Sequence, residues 1–585
     1  MVIANASLAV NDGGLGISSA LRRPVAVVGC SSAGTAATAL ELSTPDDVVT
    51  EQGYGPMPEV AALILRRAGG PVITVRAATV TAAVLGGYAQ EGAGSPAAGT
   101  MTTTGTSTAV AALTGTADRP YAVKVVVTTA GANLAATPIV KVSLDGGVTY
   151  LATGSITASA TPQAIGTTGL LLAFTDGTFV AADSFGALGV DSATTGDATG
   201  ATVLSLSGTP LDAFDVRVKV TRAGATPSAG AAVKVSLDGG NSYGAEVSIA
   251  SGSYVIPNTG ITVAFSAATV VVGDIYRFKT SAPAWDTTSL GAALDALVTS
   301  GRAFEFVHIC GPVDVTSATT VKTWLDAREA AGQYVAAVCE TRDQQTGESV
   351  ATWQTALTGS TPGFQTFSSD RMDVFDTHAY VESAIRAGVY ARRNAARLLS
   401  VRLAQIPIHQ HPGRVKTGPV EGLMLDGATS SVLHDHRTLT GLDLARLGGI
   451  QTVAGRSRGE YYFTARTMAP AGSDFAQVQR IRVMNEAATA GLAAISEYLG
   501  EDVELKTDGS GRIAEAEAKA IDAEVLAKVK AAVLNAPNAH VSAVSVVTNR
   551  TDNLAVTGNL RVAISVVPRG SIETVTATIS YSLTA

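Results

Sequence analysis

Residues able to do chemistry fall into a few short clusters. Gly29-Cys30-Ser31-Ser32-Ala33-Gly34-Thr35 follows an apolar run and has the glycine spacing of a phosphate-cradling loop. Such a loop then needs a Lys and a Ser or Thr to reach the phosphates and Mg²⁺. Thr35 and Ala36 stand in those places, so a Gly-rich connection is the better reading and no nucleotide is expected. His409-Gln410-His411 and His434-Asp435-His436 have side chains that ligate metals. Neither has the spacing of a helical metal site, and Pro412 makes the first pair extended, so both are read as solvated or interface histidines. Arg386, Arg392, Arg393, Arg397 and Arg402 read as a basic helix stripe, more in keeping with a solvated or salt-bridging subunit face than with anion binding. Asp508-Gly509-Ser510-Gly511 lacks the further carboxylates of a calcium loop. Cys30, Cys310 and Cys339 lie on apolar strands or their ends, where Cys acts as a small hydrophobe. No constellation combines nucleophile, base and electrophilic stabiliser. The expectation is a protein that is not an enzyme, with no catalytic residue, no metal and no cofactor.

Composition agrees with a role built on surfaces. Of 585 residues only 15 % are charged and 5 % aromatic, while 60 are Gly and 46 % are hydrophobic. Apolar content suffices for folded cores, which argues against global disorder. A net charge of −8 over this length offers no nucleic-acid footprint. Three scattered cysteines make neither a disulfide framework nor a Cys-based zinc site. Residues 1–20 carry no Lys or Arg, so no Sec-type signal is expected, and no apolar run reaches the ~18 residues of a membrane span.

The elements that must carry these surfaces begin with a repeat. Residues 113–156 align without a gap to 206–249, an offset of 93. Val123, Val125 and Val127 match Val216, Val218 and Val220, and Lys141-Val142-Ser143-Leu144-Asp145-Gly146-Gly147 matches Lys234-Val235-Ser236-Leu237-Asp238-Gly239-Gly240. Each copy alternates with period 2 and has Asp-Gly-Gly turns, which predicts two tandem β-sandwich-like domains at 105–197 and 198–284. Ser143, Asp145, Gly147, Thr149 and Tyr150 resemble an Asp-box, with Ser236, Asp238, Gly240, Ser242 and Tyr243 in the same places. That motif is chiefly a structural turn and only secondarily a hint of glycan binding.

On both sides of the repeats, strands and helices alternate. Pro24–Gly29 and Pro71–Arg76 read as strands; Ser43-Thr44-Pro45-Asp46-Asp47 as a helix start; and Glu59–Arg67 as a helix. Downstream, Leu290–Leu297 and Thr320–Ala331 read as helices, and Phe304–Ile309 and Tyr334–Cys339 as strands. This alternation predicts a mainly parallel α/β core interrupted by the β domains. The last portion has two amphipathic helices, Phe475–Leu499 and one between Gly511 and Pro537. Strands Val541–Val547 and Leu560–Val566 follow, then an alternating run of Val575, Ala577, Ile579, Tyr581 and Leu583. The fold class expected is therefore α/β and α+β multidomain: a discontinuous α/β core, two inserted all-β domains, and an α+β C-terminal domain with terminal strand arms. The boundaries expected are an arm at 1–20, core at 21–104 and 285–470, a C-terminal domain at 471–570 and an arm at 571–585.

The order of motifs outside the repeats resembles the contractile tail sheath proteins of myophages and related injection machines. It is carried by Val25-Ala26-Val27-Val28-Gly29, Asp46-Asp47-Val48-Val49, Gly53-Tyr54-Gly55-Pro56 and Gly69-Gly70-Pro71-Val72-Ile73-Thr74-Val75-Arg76. Downstream it is carried by Gly448-Gly449-Ile450, Tyr461-Tyr462-Phe463, Ser473-Asp474-Phe475 and Asp508-Gly509. The resemblance spans roughly 20–104 and 285–585; the repeats lie outside it. It implies subunits stacked as hexameric rings in a helical polymer around a tail tube, contracting on a baseplate trigger to drive the tube through a target envelope. Partners would be further copies of the chain, the tube protein, and baseplate and terminator proteins, with no direct nucleic acid and no membrane span. The location implied is the virion tail, after assembly in the bacterial cytoplasm. Terminal arms would add strands to neighbouring subunits, here Val2, Ile3, Leu8 and Val10 at one end and Val575, Ala577, Ile579, Tyr581 and Leu583 at the other. The inner face would belong to the C-terminal domain, with Lys519, Lys528 and Lys530 as tube-facing candidates. A β-sandwich adhesin or glycan-binding structural protein is the alternative.

Overall fold

The computed structural model describes residues 24–91, 99–115, 117, 121–151, 155–190, 203–227, 230–359, 363–423, 425–426, 429–430, 447, 449–452, 460–470, 472–535 and 539–571. Both proposed arms, Val2, Ile3, Leu8 and Val10, and Val575, Ala577, Ile579, Tyr581 and Leu583, lie outside the described residues, as do His434 and His436.

A six-stranded sheet organises the α/β portion. Its order is Ala39–Leu42, Val72–Arg76, Val25–Gly29, Phe306–Pro312, Ala336–Glu340, Met372–Phe375. All pairs are parallel except the edge pair of Ala39–Leu42 with Val72–Arg76. Successive side chains of a strand point to opposite faces. Val25 and Val27 accordingly join one core with helices Pro56–Ala68 and Ala396–Gln405, and Ala26 and Val28 join a second with Thr287–Thr299 and Val315–Ala330. Both faces are covered, as a parallel sheet requires.

The helix starts are written locally. Thr44 caps Pro45–Gln52 with a reciprocal pair, Asp47 N–H to Thr44 Oγ1 and Thr44 N–H to Asp47 Oδ2, both 3.1 Å. Asp286 and Asp314 cap the helices at Thr287 and Val315 in the same way. Each such cap is worth about 1 kcal/mol.

After Arg76 the chain leaves this sheet and returns to it at Phe306, where Val307 pairs with Ala26. The excursion builds two pairs of larger sheets, each pair closed over one apolar cluster, and a small two-stranded sheet of Gly224–Ala225 with Thr269–Val270. In the first repeat, Val123, Val125 and Val127 of strand Tyr121–Thr129 pack over Leu113, Leu170 and Leu172 of the other sheet, beside Phe185 of their own. In the second, Val216, Val218 and Val220 of strand Asp215–Arg222 pack over Ile261 and Val263, beside Tyr276 of their own sheet, at equivalent places.

The connection between core and repeats differs from the expected break at 104/105. Strand Ala89–Glu91 pairs with Ile275–Lys279 of the second repeat, and Leu85 bridges Thr280. Strands Gly99–Thr100 and Thr103–Thr104 pair with Ala111–Gly115 and Ser184–Val190 of the first. The first repeat is therefore nested inside the second, whose sheet includes a strand supplied before the first repeat begins. Strands of two or three residues carry no periodicity, so the pattern could not show this.

Helices Val478–Ser496 and Glu515–Val533 pack against the hairpin of Val541–Thr548 and Val562–Pro568. Ala518, Ile521, Val525, Val529 and Val533 make the buried stripe of the second helix at steps of three and four.

Candidate subunit interface

Two places in the chain concentrate groups that a surface-driven protein could use: a buried ion network and the C-terminal hairpin.

The arginines do not form one helix stripe. Arg392 and Arg393 lie on strand Tyr390–Asn394, which pairs with His378–Glu382; Arg397 and Arg402 lie on helix Ala396–Gln405; and Arg386 is in the turn between the strands. Four of them are buried, and Arg392, partly exposed, pairs with Asp343. Arg393 donates through Nε to Glu59 Oε2 at 2.9 Å and through Nη2 to Asp212 Oδ2 at 2.7 Å. Arg397 donates to Glu59 Oε2 at 3.2 Å and to Glu340 Oε1 at 2.7 Å. His308 closes the chain, with Nδ1 2.8 Å from Ser400 Oγ and Nε2 3.2 Å from Glu340 Oε1. Arg386 lies over the rings of Tyr54 and Phe214 and donates to the Asn258 carbonyl at 3.0 Å. All the side chains of this network are buried. Burial by itself lifts the Glu59 carboxyl, but Arg393, Arg386 and Arg397 outweigh it and hold Glu59 well below the usual carboxylate range. Burial likewise opposes ionisation of Glu340, which Arg397 and the His308 hydrogen bond hold down. The network ties helix Pro56–Ala68, the loop at Asp212 and the hairpin of the core into one buried unit.

Sequence reasoning missed Glu59, Asp212, Glu340 and His308 as a set. Their signal was present: Glu59 sits among Met57, Val60, Ala61 and Leu63, and His308 and Glu340 interrupt apolar strands. A charge inside an apolar run is buried with a partner or not there at all.

The other clusters are filled by the chain itself. In the Gly29–Thr35 loop, Ser32 N–H bonds the Tyr54 carbonyl and Ala33 N–H the Gln52 carbonyl, so these amides are spent. Gly34, at φ +86°, lies against the Gln52 side chain. The cysteines are buried and free, and burial pushes their thiols up. Asp508 accepts from Ser510 N–H and Oγ in a local turn. Among the described residues, no group of three or more His, Cys, Asp or Glu is placed to hold a metal, and no helix is long and apolar enough to cross a membrane.

Both Asp-box turns are knotted internally. Asp145 accepts from Thr149 N–H at 2.8 Å and Oγ1 at 2.6 Å, and Asp238 accepts from Ser242 N–H at 2.9 Å. A Cβ at Gly146 would meet the backbone of Gly87, and one at Gly239 the Tyr380 hydroxyl. The first turn thus lies against the connection to the core and the second against the core hairpin.

The C-terminal hairpin is the incomplete element. Its register sets Val546 opposite Ile564 and Val544 opposite Val566, all turned toward the helices. Val544 and Val546 are buried, but Val562, Ile564 and Val566 reach only half-burial. Among the described residues the two strands pair only with each other, leaving both outer edges open. On the opposite face Val547 and Val567 are 57 % and 53 % exposed. Of the lysines on the neighbouring helix, Lys528 pairs with Glu497 and with Glu524 at 3.0 Å, and Lys519 with Glu515 at 3.6 Å. At about 100° per residue, Lys519 and Lys530 share one flank and Lys528 lies on the other, so the three do not form one face.

A discontinuous parallel α/β sheet, a nested pair of β sandwiches and an α+β hairpin unit define a multidomain α/β and α+β protein. The chain belongs to the DUF2586 family, whose N-terminal domain matches residues 6–464. No curated protein matches it. Among solved structures it is similar to the sheath tail protein of Listeria innocua, at 11 % identity, with 94 % of this chain and 95 % of that chain covered and a TM-score of 0.36. It is also similar to the sheath tail protein of Desulfitobacterium hafniense, at 10 % identity, 97 % and 100 % coverage and a TM-score of 0.37. For the contracted helical sheath of the anti-feeding prophage, identity is 14 %, coverage 53 % and 78 %, and TM-score 0.35.

Proposed function

We propose that the chain is the structural subunit of a contractile tail sheath, polymerising as stacked hexameric rings around a tail tube and contracting to drive the tube through a target envelope. The observation that carries this reading is the half-covered C-terminal hairpin, whose two outer edges are unpaired among the described residues and whose inward row of Val562, Ile564 and Val566 is half-buried. A strand added to such an edge gains main-chain hydrogen bonds and completes the burial of the row. The sequence supplies suitable strands in Val2–Val10 and Val575–Leu583. Backbone pairing of this kind keeps neighbours linked while rigid bodies turn, and burial of new interface supplies the energy without a nucleotide. The α/β core and the C-terminal unit would form the working polymer, with the nested β domains as outward decoration. The tube, baseplate and terminator are the partners, and the virion tail the location.

Negative-stain microscopy of the purified chain tests this. Hollow striated tubes are expected, and a persistent monomer would overturn it. Deleting 572–585 should abolish tubes and leave a folded monomer; normal tubes would refute the role of that arm.

A further inference from the structure

Segment 406–413 leaves helix Ala396–Gln405 and crosses to the C-terminal unit, where Ile408 packs with that unit's apolar cluster. His409 there faces His540, the residue before strand Val541–Thr548. Their Nδ1 atoms are 2.9 Å apart, with ring centroids at 5.1 Å. Two imidazole nitrogens at hydrogen-bond distance need one N–H and one lone pair. If both nitrogens carry protons, two N–H groups point at each other and the bond becomes a repulsion.

The surroundings sharpen this requirement. The charged groups acting on the pair are Arg414 just after that segment, Arg482 on helix Val478–Ser496, Arg569 just after strand Val562–Pro568, and Glu305. Glu305 is already bound to Arg482 at 2.5 Å. Three guanidiniums against one engaged carboxylate oppose any further positive charge, whether a proton or a metal cation.

We infer that His409 and His540 form an acid-sensitive latch, closing the C-terminal hairpin onto the core when neutral and releasing it when doubly protonated. The inference rests on this junction alone and stands whether or not the chain is a sheath. Burial, His409 and the arginines lower His540 to about 4, and burial with the arginines lowers His409. A group lowered in the closed form binds protons more readily once open. Closure is therefore complete above the free-histidine value of about 6.5, and is lost progressively as pH falls toward the closed-form values.

Hydrogen–deuterium exchange of the full chain, corrected for intrinsic rates, tests the latch. Between pH 7.5 and 5.5, peptides covering 406–413 and 541–548 should lose protection about ten-fold for His540 alone, while strand Val25–Gly29 does not, since one pH unit below the open-form value is one ten-fold step. His540→Gln and His409→Gln, each measured separately, should remove most of that pH dependence. The inference is overturned by wild-type protection that is flat across this range, by a loss that begins above pH 7, or by a wild-type-like loss in both variants. If a variant is already open at pH 7.5, the onset of the wild-type loss decides.

Discussion

Arg393 donates to Asp212 at 2.7 Å and, from the same guanidinium, to Glu59 at 2.9 Å. One side chain of the core hairpin thus joins a core helix to a loop of the inserted second repeat. The contact is buried on all sides, so its value lies less in net Coulomb energy than in the cost of any arrangement that separates it. An inserted loop held this way keeps a fixed orientation against its core.

Glu59→Gln removes the anion shared by Arg393 and Arg397 and leaves both buried cations short of charge. The expected cost is about 3–5 kcal/mol, seen as an earlier denaturation midpoint by tryptophan fluorescence. A shift within error of wild type would mean that water relaxes into the site and that the network is not structural.

Gly146 and Gly239 are equivalent turn positions at φ +74° and +72°. A Cβ at Gly146 would lie 2.0 Å from the backbone N of Gly87, whereas at Gly239 the nearest atom is the Tyr380 hydroxyl at 3.2 Å. Both alanine variants meet the left-handed strain of about 1–2 kcal/mol. Only Gly146→Ala must also displace main chain, so it should melt at a lower temperature than Gly239→Ala. Equal melting temperatures would show that the first turn is not clamped to the 86–87 connection.

The difference between these twins also marks what the sequence could show. The repeat, its strands and its turns were legible because their residues alternate and recur at one offset. Likewise Thr44, with Pro45 and Asp47 beyond it, announced a helix start that the structure places one residue later. What could not be read was which piece of chain each copy leans on. The nesting depends on Ala89–Glu91, three residues with no pattern of their own, and the ion network joins positions up to 338 residues apart. The arginines were visible, but their partners were not. A stripe of Arg on a supposed helix looks solvated until Glu59 and Glu340 are seen on the facing elements.

Asp373 is buried, and neither carboxylate oxygen has a hydrogen-bond partner among the described residues. Burial pushes its carboxyl well above the ordinary value of 3.8. A group raised in the folded state binds its proton more tightly there, so its contribution is full below about 3.8 and is lost as pH rises toward the folded value. Asp373→Asn removes that penalty. The variant should be more stable than wild type at pH 7.5, with the gap closing as pH falls toward 4, read from urea midpoints at each pH. A gap that stays constant with pH would mean that Asp373 finds a compensating partner in the folded chain.

Val547 and Val567 test the open hairpin without touching its core. They lie on the face turned away from the helices, beside Ala563 and Ala543 in register. Replacing either by Lys puts a charge on an exposed position and should change monomer stability by less than about 0.5 kcal/mol. If the hairpin receives a strand from a neighbour, that face becomes part of a subunit contact, and a buried lysine there lacks a partner. Val547→Lys and Val567→Lys should therefore leave thermal unfolding of the monomer unchanged while raising the protein concentration needed for tube formation at least ten-fold, by light scattering. Exposed Val556, on the loop between the strands, supplies the control. A Val556→Lys defect as large as the other two would show a general charge effect. Unimpaired assembly of all three variants would place the subunit contact elsewhere on the chain.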